Sequence, residues 1–319
     1  KINTYDYDGE YITWTTDGAN AGSVFYRTGK FSITNVCGLL KVNSADVDSK
    51  YLTYILGTVA KKYVSSGMGN PKLMSNVMSA IKVPIPPLEV QKEIVNILDK
   101  FTQLEAELEA ELEARRKQYE YYRSQLLTFD DSRERVRWLA LGDIFDMKNG
   151  YAPSKNNREY WDNGDVAWFR MDDIRENGRV LSDSIQHITE KAVKGGRLFT
   201  ANSIILSTSA TIGEHALITK DFLANQRFTV LTPKKDYSEK IDMKFVFYYG
   251  FLIDEWCKKN TNMSGFASVD MNGLRKLKIP LPELETQKSI VKILDKFDKL
   301  VHDISEGLPA ELSARRKQY

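Results

Sequence analysis

The chain has 319 residues, with 42% hydrophobic and 28% charged residues, which is the composition of an ordinary globular protein. Its net charge is +2, from 45 basic and 43 acidic side chains, so any basic surface that binds nucleic acid must be local. The longest apolar runs are too short to cross a bilayer. Two cysteines, Cys37 and Cys257, lack metal-ligand spacing, which favours free thiols in a reducing cytoplasm.

We predict that residues 1–84 form the C-terminal part of a first β-rich domain. They match only the second half of the domain predicted for residues 129–279. Glu10–Thr16 aligns with Asn202–Thr208, and Lys50–Leu52 aligns with Lys244–Val246. We therefore expect the opening portion of this domain to be missing, so that the sequence is a fragment, or the ordered part, of a longer chain.

Residues 85–128 predict a first long helix that follows an extended Pro-x-Pro segment at Pro84, where proline disfavours helix. Steps of three and four residues place one apolar seam along this helix. Leu104–Glu107 is repeated as Leu108–Glu111, and such a four-residue step locally unwinds a coiled coil. The seam consists of Ile94, Ile97, Phe101, Leu104, Leu108, Leu112, Tyr119, Tyr122 and Leu126.

Residues 129–279 predict a second, complete domain of mixed α+β structure. Short alternating runs such as Ser203–Ser207 and Phe228–Leu231 lie between Gly, Asn and Asp turns, as strands usually do. A helical pattern follows over Met243–Lys259.

Residues 280–319 repeat the first helix, in truncated form. Pro84–Phe101 returns as Pro280–Phe297, and Ala114–Tyr119 returns as Ala314–Tyr319, so a domain-plus-helix unit is used twice. Gly307 and Pro309 predict a kink or a restarted helix. The matching seam is Ile290, Ile293, Phe297, Leu300, Ile304, Leu308 and Leu312.

The duplicated seams favour mutual pairing of the two helices over packing of each on a separate domain. The expected fold class is α+β, with two β-rich domains, the first one partial, separated by two long helices that pair as an antiparallel coiled coil. At about 1.5 Å per residue, such a rod is roughly 60 Å long.

This organisation resembles the specificity subunits of type I restriction–modification enzymes over essentially the whole chain. The resemblance rests on the block Pro-x-Pro-x-x-Glu-x-Gln-x-x-Ile-Val-x-Ile-Leu-Asp-Lys-Phe in both copies and on the segment Arg116–Arg123. The Leu-Glu-Ala-Glu repeats resemble the subgroup with a four-residue tandem repeat in the central helix. Gly150–Lys155 is similar to the opening of the family's target-recognition domains.

The resemblance implies a cytoplasmic, non-catalytic subunit whose two target-recognition domains each read half of a split site in double-stranded DNA, while the helices set the spacer. Two methyltransferase subunits would dock on the helices, and two motor–nuclease subunits would join them. These partners would bind S-adenosylmethionine, ATP and Mg²⁺, leaving this chain without cofactor or metal. The residues agree, since no phosphate-binding or methylation motif is present and His187, His215 and His302 lack metal spacing.

Loops rich in Arg, Lys, Asn, Gln and hydroxyl side chains are the candidate DNA contacts, because these groups bind base edges and phosphates. Each loop could equally be a solvated or self-satisfied turn, and Arg170 could read a guanine or pair with Asp172 or Asp173. The candidates are Thr15, Thr16, Asn20, Asn70, Lys72, Lys148, Asn149, Tyr151, Ser154, Lys155, Asn156, Arg158, Arg170, Ser207, Thr208, Ser209, Thr211, Gln226 and Arg227.

The helices carry a second set of candidates, for binding a methyltransferase subunit. A solvated face, or the steering of DNA along the helices, are alternative interpretations of their charges. The set is Arg115, Arg116, Lys117, Tyr119, Tyr122, Arg315, Arg316 and Lys317. Two other functions stay open: a coiled-coil scaffold with two protein-binding heads, and the recognition part of a fused DNA methyltransferase or nuclease.

Overall fold

The computed structural model describes residues 4–66, 69–129, 136–262, 267–302 and 308–317, and it divides into two compact units, residues 1–110 and 111–319. Among these described residues, no helix is long and apolar enough to span a membrane. Both cysteines are free thiols, and burial raises the pKa of Cys257 to about 12. The domain limits expected from the sequence stay a prediction.

Unit 1 holds a small antiparallel sheet with a helix packed on it. Trp14, on the central strand, shares a core with Leu56 of that helix and with Ala60, which directly follows it. Asp48 begins the helix, because its carboxylate accepts a hydrogen bond from the N–H of Tyr51 at 2.9 Å. The elements are β1 (Tyr7–Asp8), β2 (Tyr11–Thr15), β3 (Val24–Arg27), β4 (Lys30–Phe31), β5 (Cys37–Leu40), α1 (Ser49–Val59) and α2 (Ser75–Ala80), and the sheet order is β3-β2-β5.

One continuous helix, α3 (Leu88–Leu126), begins in unit 1 and ends in unit 2. Its 39 residues correspond to a length of about 58 Å. The long helix expected after the Pro-x-Pro segment is therefore confirmed.

Unit 2 is built around a five-stranded sheet of order β7-β14-β11-β12-β9, in which only the pairing of β12 with β9 is parallel. The strands are β6 (Arg137–Ala140), β7 (Phe145–Asn149), β8 (Val166–Phe169), β9 (Val180–Leu181), β10 (His187–Ile188), β11 (Ser203–Ser207), β12 (His215–Ile218), β13 (Leu223–Ala224), β14 (Phe228–Pro233), β15 (Thr261–Asn262), β16 (Ser268–Val269) and β17 (Lys278–Leu281). The helices are α4 (Leu141–Ile144), α5 (Met171–Asn177), α6 (Met243–Lys259), α7 (Met271–Lys276), α8 (Leu284–His302) and α9 (Leu308–Arg316).

The three central strands of this sheet, β11, β12 and β14, are buried at nearly every position, so both faces of the sheet are covered. Ile204 and Leu206 of β11 join a core that includes Phe245 and Val246 of α6. Ile205, which points the other way, joins a second core with Phe169. The sheet is thus the middle layer of unit 2, and β8 and α5 lie on the face opposite α6.

A buried glutamine ties the start of α3 to unit 1. The side chain of Gln91 is fully buried, and its amide group donates to the carbonyl oxygens of Pro86 (2.7 Å) and Asp46 (2.8 Å). Its side-chain oxygen accepts from the backbone N–H of Asp48 at 2.9 Å. The glutamine therefore joins the Pro-x-Pro segment to the residues that begin α1.

The same three bonds recur in unit 2, where Gln287 is also fully buried. Its amide group donates to Pro282 (2.8 Å) and Lys240 (3.0 Å), and its oxygen accepts from the N–H of Asp242 at 2.9 Å. The duplication seen in the sequence is therefore a duplication of the joint between domain and helix.

A carboxylate two turns further along each helix completes this joint. Asp99 accepts from the ammonium group of Lys50 and the hydroxyl of Tyr54, both at 2.7 Å. In unit 2, Asp295 accepts the equivalent bonds, from Lys244 (2.7 Å) and Tyr248 (2.6 Å). Burial, and then the bond to the carboxylate, raises the pKa of both tyrosine hydroxyls, because ionisation would place two negative charges together.

The buried face of α8 differs from the seam expected from the sequence. Ile290 is buried as expected, but Ile293 and Leu300 are 42% and 40% exposed, while Leu294 and Val301 are fully buried. The reason is that α8 packs on α6 of its own unit through Asp295, which turns the buried stripe by about one position.

Within unit 2, the last turns of α3 also contact α8. The ring of Tyr122 stacks on Phe297, with centroids 5.4 Å apart, and the Tyr119 hydroxyl interacts with Asp298. A later residue of α3 meets an earlier residue of α8, which is the order expected of antiparallel helices. The restarted helix expected near Pro309 is α9, while Ile304 and Gly307 lie outside the described residues.

We expect Gln287→Leu to lower the free energy of unfolding of unit 2 by about 3 kcal/mol, since it leaves buried backbone groups without partners. Urea denaturation followed by circular dichroism would measure the change. Gln125→Leu, at an exposed position of α3, is the matched control and should have almost no effect. Equal shifts in the two variants would contradict a structural role for the buried amide.

Candidate nucleic-acid interface

A basic cleft lies on the β8 side of unit 2, with a volume of about 620 Å³. Four cationic side chains line it, and two indole rings, Trp161 and Trp168, form part of its wall. The cations are Lys155, Arg158, Arg170 and Arg227. We call it the Trp168 cleft. It brings together three segments that the sequence analysis singled out separately: the loop after β7, the residue after β8 and the turn before β14.

Gly150 allows the loop after β7 to approach the turn before β14. A Cβ atom at this position would overlap the carbonyl oxygen of Ala224, so only glycine fits. The backbone N–H of Gly150 donates to Phe228 at 2.9 Å, and that of Tyr151 donates to Ala224 at 2.8 Å. The close approach fixes one edge of the cleft.

The indole rings hold the loop after β7 in place. Trp168 donates its ring N–H to the carbonyl of Tyr151, and Trp161 donates to that of Ser154, both at 3.0 Å. The two rings meet edge to face, with centroids 5.1 Å apart. Lys155 and Arg158, which follow Ser154, are thereby presented at the rim of the cleft.

Arg170 is positioned by the buried carboxylate of Asp173 at the start of α5. Asp173 accepts from the backbone N–H of Arg170 and from that of Ile185, each at 2.6 Å. The guanidinium group of Arg170 lies 5.9 Å from the ring centre of Trp168 and 3.5 Å from the carboxylate of Asp172. The backbone thus fixes where Arg170 enters the cleft, and its neighbours orient the side chain.

The turn before β14 supplies two exposed side chains, Gln226 and Arg227. Asn225 shapes it, since its side-chain oxygen accepts from the N–H of Arg227 at 3.1 Å. The N–H of Asn225 donates to the carbonyl of Phe169 at 2.9 Å, which places the turn beside Arg170.

Other candidates in unit 2 have structural contacts instead. Ser207 is fully buried, and the hydroxyls of Thr208 and Thr229 bond to each other at 3.0 Å inside the unit. The hydroxyl of Tyr151 accepts from the N–H of Lys194 at 2.8 Å. Because their polar groups are engaged or enclosed, Ser207, Thr208 and Tyr151 cannot present donors to a ligand in this conformation.

The remaining candidates of unit 2 lie outside the lining of the Trp168 cleft. Ser209 forms a bridge with Ser268, and Asn149 accepts from Thr229 at 2.9 Å. Lys148 and Asn156 are exposed, and Thr211 is half-buried. Their contact with DNA stays a prediction.

In unit 1, the two candidate loops converge. Asp17 pairs with Lys72 at 3.3 Å, and the N–H of Leu73 donates to the carbonyl of Thr16 at 2.9 Å. Asn20 and Asn70 are exposed, while Thr15 is half-buried and Thr16 is buried. Residues 67 and 68 of the second loop lie outside the described residues. The pairing with Asp17 reduces the positive charge that Lys72 offers to a phosphate.

The candidate partner contacts on the helices differ in accessibility. Tyr119 is only 2% exposed and belongs to the core of unit 2, so the structure removes it from a docking surface. Tyr122 remains partly exposed. Arg115, Lys117 and Arg315 each pair with a glutamate four residues earlier, as on a solvated helix face, and Arg116, Arg316 and Lys317 are exposed too.

The cleft lining includes Trp161, Trp168 and Gln186, which were not candidates in the sequence analysis. Trp168 lies in a run of buried strand residues, so its pattern is that of a core position. Gln186 reaches the cleft only because the segment before β10 folds back on β8, where the Ser184 hydroxyl accepts from the N–H of Trp168 at 3.0 Å. No local signal in the sequence indicates that approach.

The family model of the type I restriction modification DNA specificity domain matches residues 1–114 and 136–314. The chain belongs to this family. Within the part of the chain that the structure describes, no group of three or more His, Cys, Asp or Glu side chains could hold a metal ion.

Relatives with similar sequences are named as specificity subunits of type I systems. The chain is 58% identical over 191 residues to the specificity subunit of the EcoprrI type I restriction enzyme of Escherichia coli, and it spans 48% of that protein. It is 40% identical over 284 residues to another E. coli type I specificity subunit, spanning 68% of it. Its identity to a putative type I specificity subunit of Mycoplasma pneumoniae is 34%, spanning 93% of that protein.

Solved structures share the fold. A chain from a type I restriction–modification system studied for its assembly and conformational transition superposes with a TM-score of 0.70 at 17% identity, covering 97% of this chain and 79% of that one. The S subunit from M. genitalium gives a TM-score of 0.54 at 16% identity, covering 100% and 83%. The α+β architecture expected from the sequence, with a long helix between β-rich units, is confirmed.

We expect Gly150→Ala to disturb the Trp168 cleft and destabilise unit 2 by about 1–3 kcal/mol, because the added methyl group meets a backbone carbonyl that cannot move freely. Thermal unfolding and tryptophan fluorescence would report the change. Gly57→Ala, at an open helical position of α1, is the control and should be neutral or slightly stabilising. A neutral Gly150→Ala variant would contradict the close approach described above.

Proposed function

We propose that the chain is the DNA-specificity subunit of a type I restriction–modification complex, with unit 2 reading one half of a bipartite site through the Trp168 cleft. The observation that carries the proposal is the convergence of four cationic side chains from three separate segments on one cleft. Cations at the rim fit phosphates, and side chains such as Gln226 and Arg170 fit base edges. The family description supports the same conclusion.

The basic surface is local, as the near-neutral composition requires. Lys155, Arg158 and Arg227 face the cleft, and Asp172 is the only carboxylate among its described lining residues. Because DNA affinity depends on neutralised phosphates, a concentrated group of cations is enough to bind a duplex even when the whole protein has little net charge.

Unit 1 would read the other half-site through its two converging loops. Asn20 and Asn70 are the exposed side chains there that can bind base edges, and Lys72 adds a cation. The two loops are linked by the N–H of Gly18, which donates to the carbonyl of Pro71 at 3.0 Å. This link supports a single DNA-binding surface formed by both loops.

Catalysis belongs to other subunits under this proposal. Two methyltransferase subunits would bind S-adenosylmethionine, and two motor–nuclease subunits would bind ATP and Mg²⁺, all in the cytoplasm. The exposed charged residues of α3 and α9, with Tyr122, are the available docking residues on this chain. The continuous helix α3 would act as the spacer.

Removing rim cations should weaken binding to all duplex sequences alike. For Arg158→Ala and Arg227→Ala, we expect the slope of log affinity against log salt to fall by about 0.9 for each phosphate that the variant no longer neutralises. Fluorescence anisotropy with a random-sequence duplex at several salt concentrations would measure it. Lys235→Ala, exposed on unit 2 outside the cleft, is the matched control. If Arg158→Ala and Arg227→Ala keep the wild-type slope, as the control should, the cleft does not bind the DNA backbone.

The four-residue repeat of α3 provides a test of the spacer. Deleting Leu108–Glu111 removes about 6 Å of helix, against 3.4 Å per base pair, so we expect a spacer shorter by one or two base pairs and unchanged half-sites. Methylation-site mapping in cells that also express the cognate methyltransferase would reveal it. Replacing Glu109 and Glu111 by alanine keeps the length and should keep the spacer. An unchanged spacer in the deletion variant would rule out the idea.

A further inference from the structure

The geometry points to Arg170 and Asp172 as a pair that reads one G·C base pair from the major groove. Arg170 would donate to N7 and O6 of guanine, and Asp172 would accept from the N4 amino group of the paired cytosine. This inference rests on the proposed function, because it names the base pair that the Trp168 cleft selects.

The two side chains already present a donor and an acceptor next to each other. The Arg170 guanidinium and the Asp172 carboxylate are 3.5 Å apart, with the two side chains 32% and 52% exposed. Guanine O6 and cytosine N4 are hydrogen-bonded to each other, so they are about 3 Å apart. The spacing of the protein pair therefore matches the spacing of the two groups on the DNA.

The order of donors and acceptors makes the match specific. Across the major groove, a G·C pair presents acceptor, acceptor and donor, from guanine N7 and O6 and cytosine N4. An A·T pair presents acceptor, donor and acceptor, which places the adenine amino group against the donors of Arg170. The arrangement of Arg170 beside Asp172 thus accepts G·C and opposes A·T.

The surroundings of Arg170 prepare it for this role. The Arg170 side chain is 32% exposed and lines the cleft, so its guanidinium group can donate to a ligand there, while its Nε–H is buried. Asp173 holds the backbone N–H of Arg170 at 2.6 Å, which keeps the residue in place even when its side chain is changed. The side chain lies over the face of Trp168, and this restricts the directions that it can take.

Asp172 also allows recognition of a base to be distinguished from binding to the phosphate backbone. A carboxylate repels phosphate, so it lowers the affinity of the cleft for DNA in general, and only the cytosine amino group offsets that cost. A residue that merely held Arg170 in place would not discriminate between the bases of the opposite strand.

The test is selection of a random-sequence duplex library with the full chain and with Arg170→Lys, Arg170→Ala and Asp172→Ala. We expect one position of the wild-type motif to require G·C, and its preference over A·T to fall by about tenfold or more in all three variants, with the other positions unchanged. Asp172→Ala should bind random duplexes as well as the wild type or better, whereas Arg170→Ala should bind them less well.

Arg175→Ala and Glu176→Ala are the controls, since both residues are exposed on α5 and neither lines the cleft. They should keep the full motif. The inference is overturned if the Arg170 and Asp172 variants keep the preference at every position, or if they lose affinity equally for all sequences. A wild-type chain that enriches no sequence would instead refute the proposed function itself.

Discussion

The structure depends on a buried hydrogen-bonded joint that fixes each long helix to its globular unit. Gln91 and Gln287 each have both side-chain polar groups bonded to backbone groups on two segments of the chain, away from water. A buried amide is costly unless it is fully paired, so it specifies one arrangement of helix and domain where an apolar side chain would tolerate several. The ion pairs and tyrosine bonds at Asp99 and Asp295 add a second point of attachment along each helix.

Two points of attachment determine the direction of a helix, which matters if, as proposed, the helix sets the spacer between two half-sites. A helix held at Gln287 alone could pivot, whereas the further bonds from Lys244 and Tyr248 to Asp295 align α8 with α6. Since α3 continues without a break from unit 1 into unit 2, a change in its length moves its ends by a defined amount, about 1.5 Å per residue. The buried hydrogen bonds thus fix the direction of each helix, and the uninterrupted helix α3 fixes a length.

The sequence predicted the duplication, both helices and the charged loops, because these leave local patterns: repeated blocks, periodic apolar residues and clusters of turn formers. Apart from the pairing of the two long helices, it could not predict contacts between distant segments. Gln91 and Asp99 were visible in the repeated block, but most of their partners (Asp46, Asp48, Lys50 and Tyr54) lie more than 40 residues earlier in the chain. Likewise, Arg158 and Arg227 were candidates in separate loops, and their convergence depends on the close approach at Gly150. The exposed Ile293 shows the same limit, since packing on α6 decides which side of α8 is buried.

Under the proposed function, the duplication also helps to separate the residues that maintain the fold from those that select DNA. The N–H of Leu73 donates to Thr16, and the N–H of Val269 donates to Thr208, each at 2.9 Å, so this loop has the same backbone bond in both units. A backbone bond present in both units belongs to the framework that they share. Under the proposed function, two units that read different half-sites must differ where they touch bases.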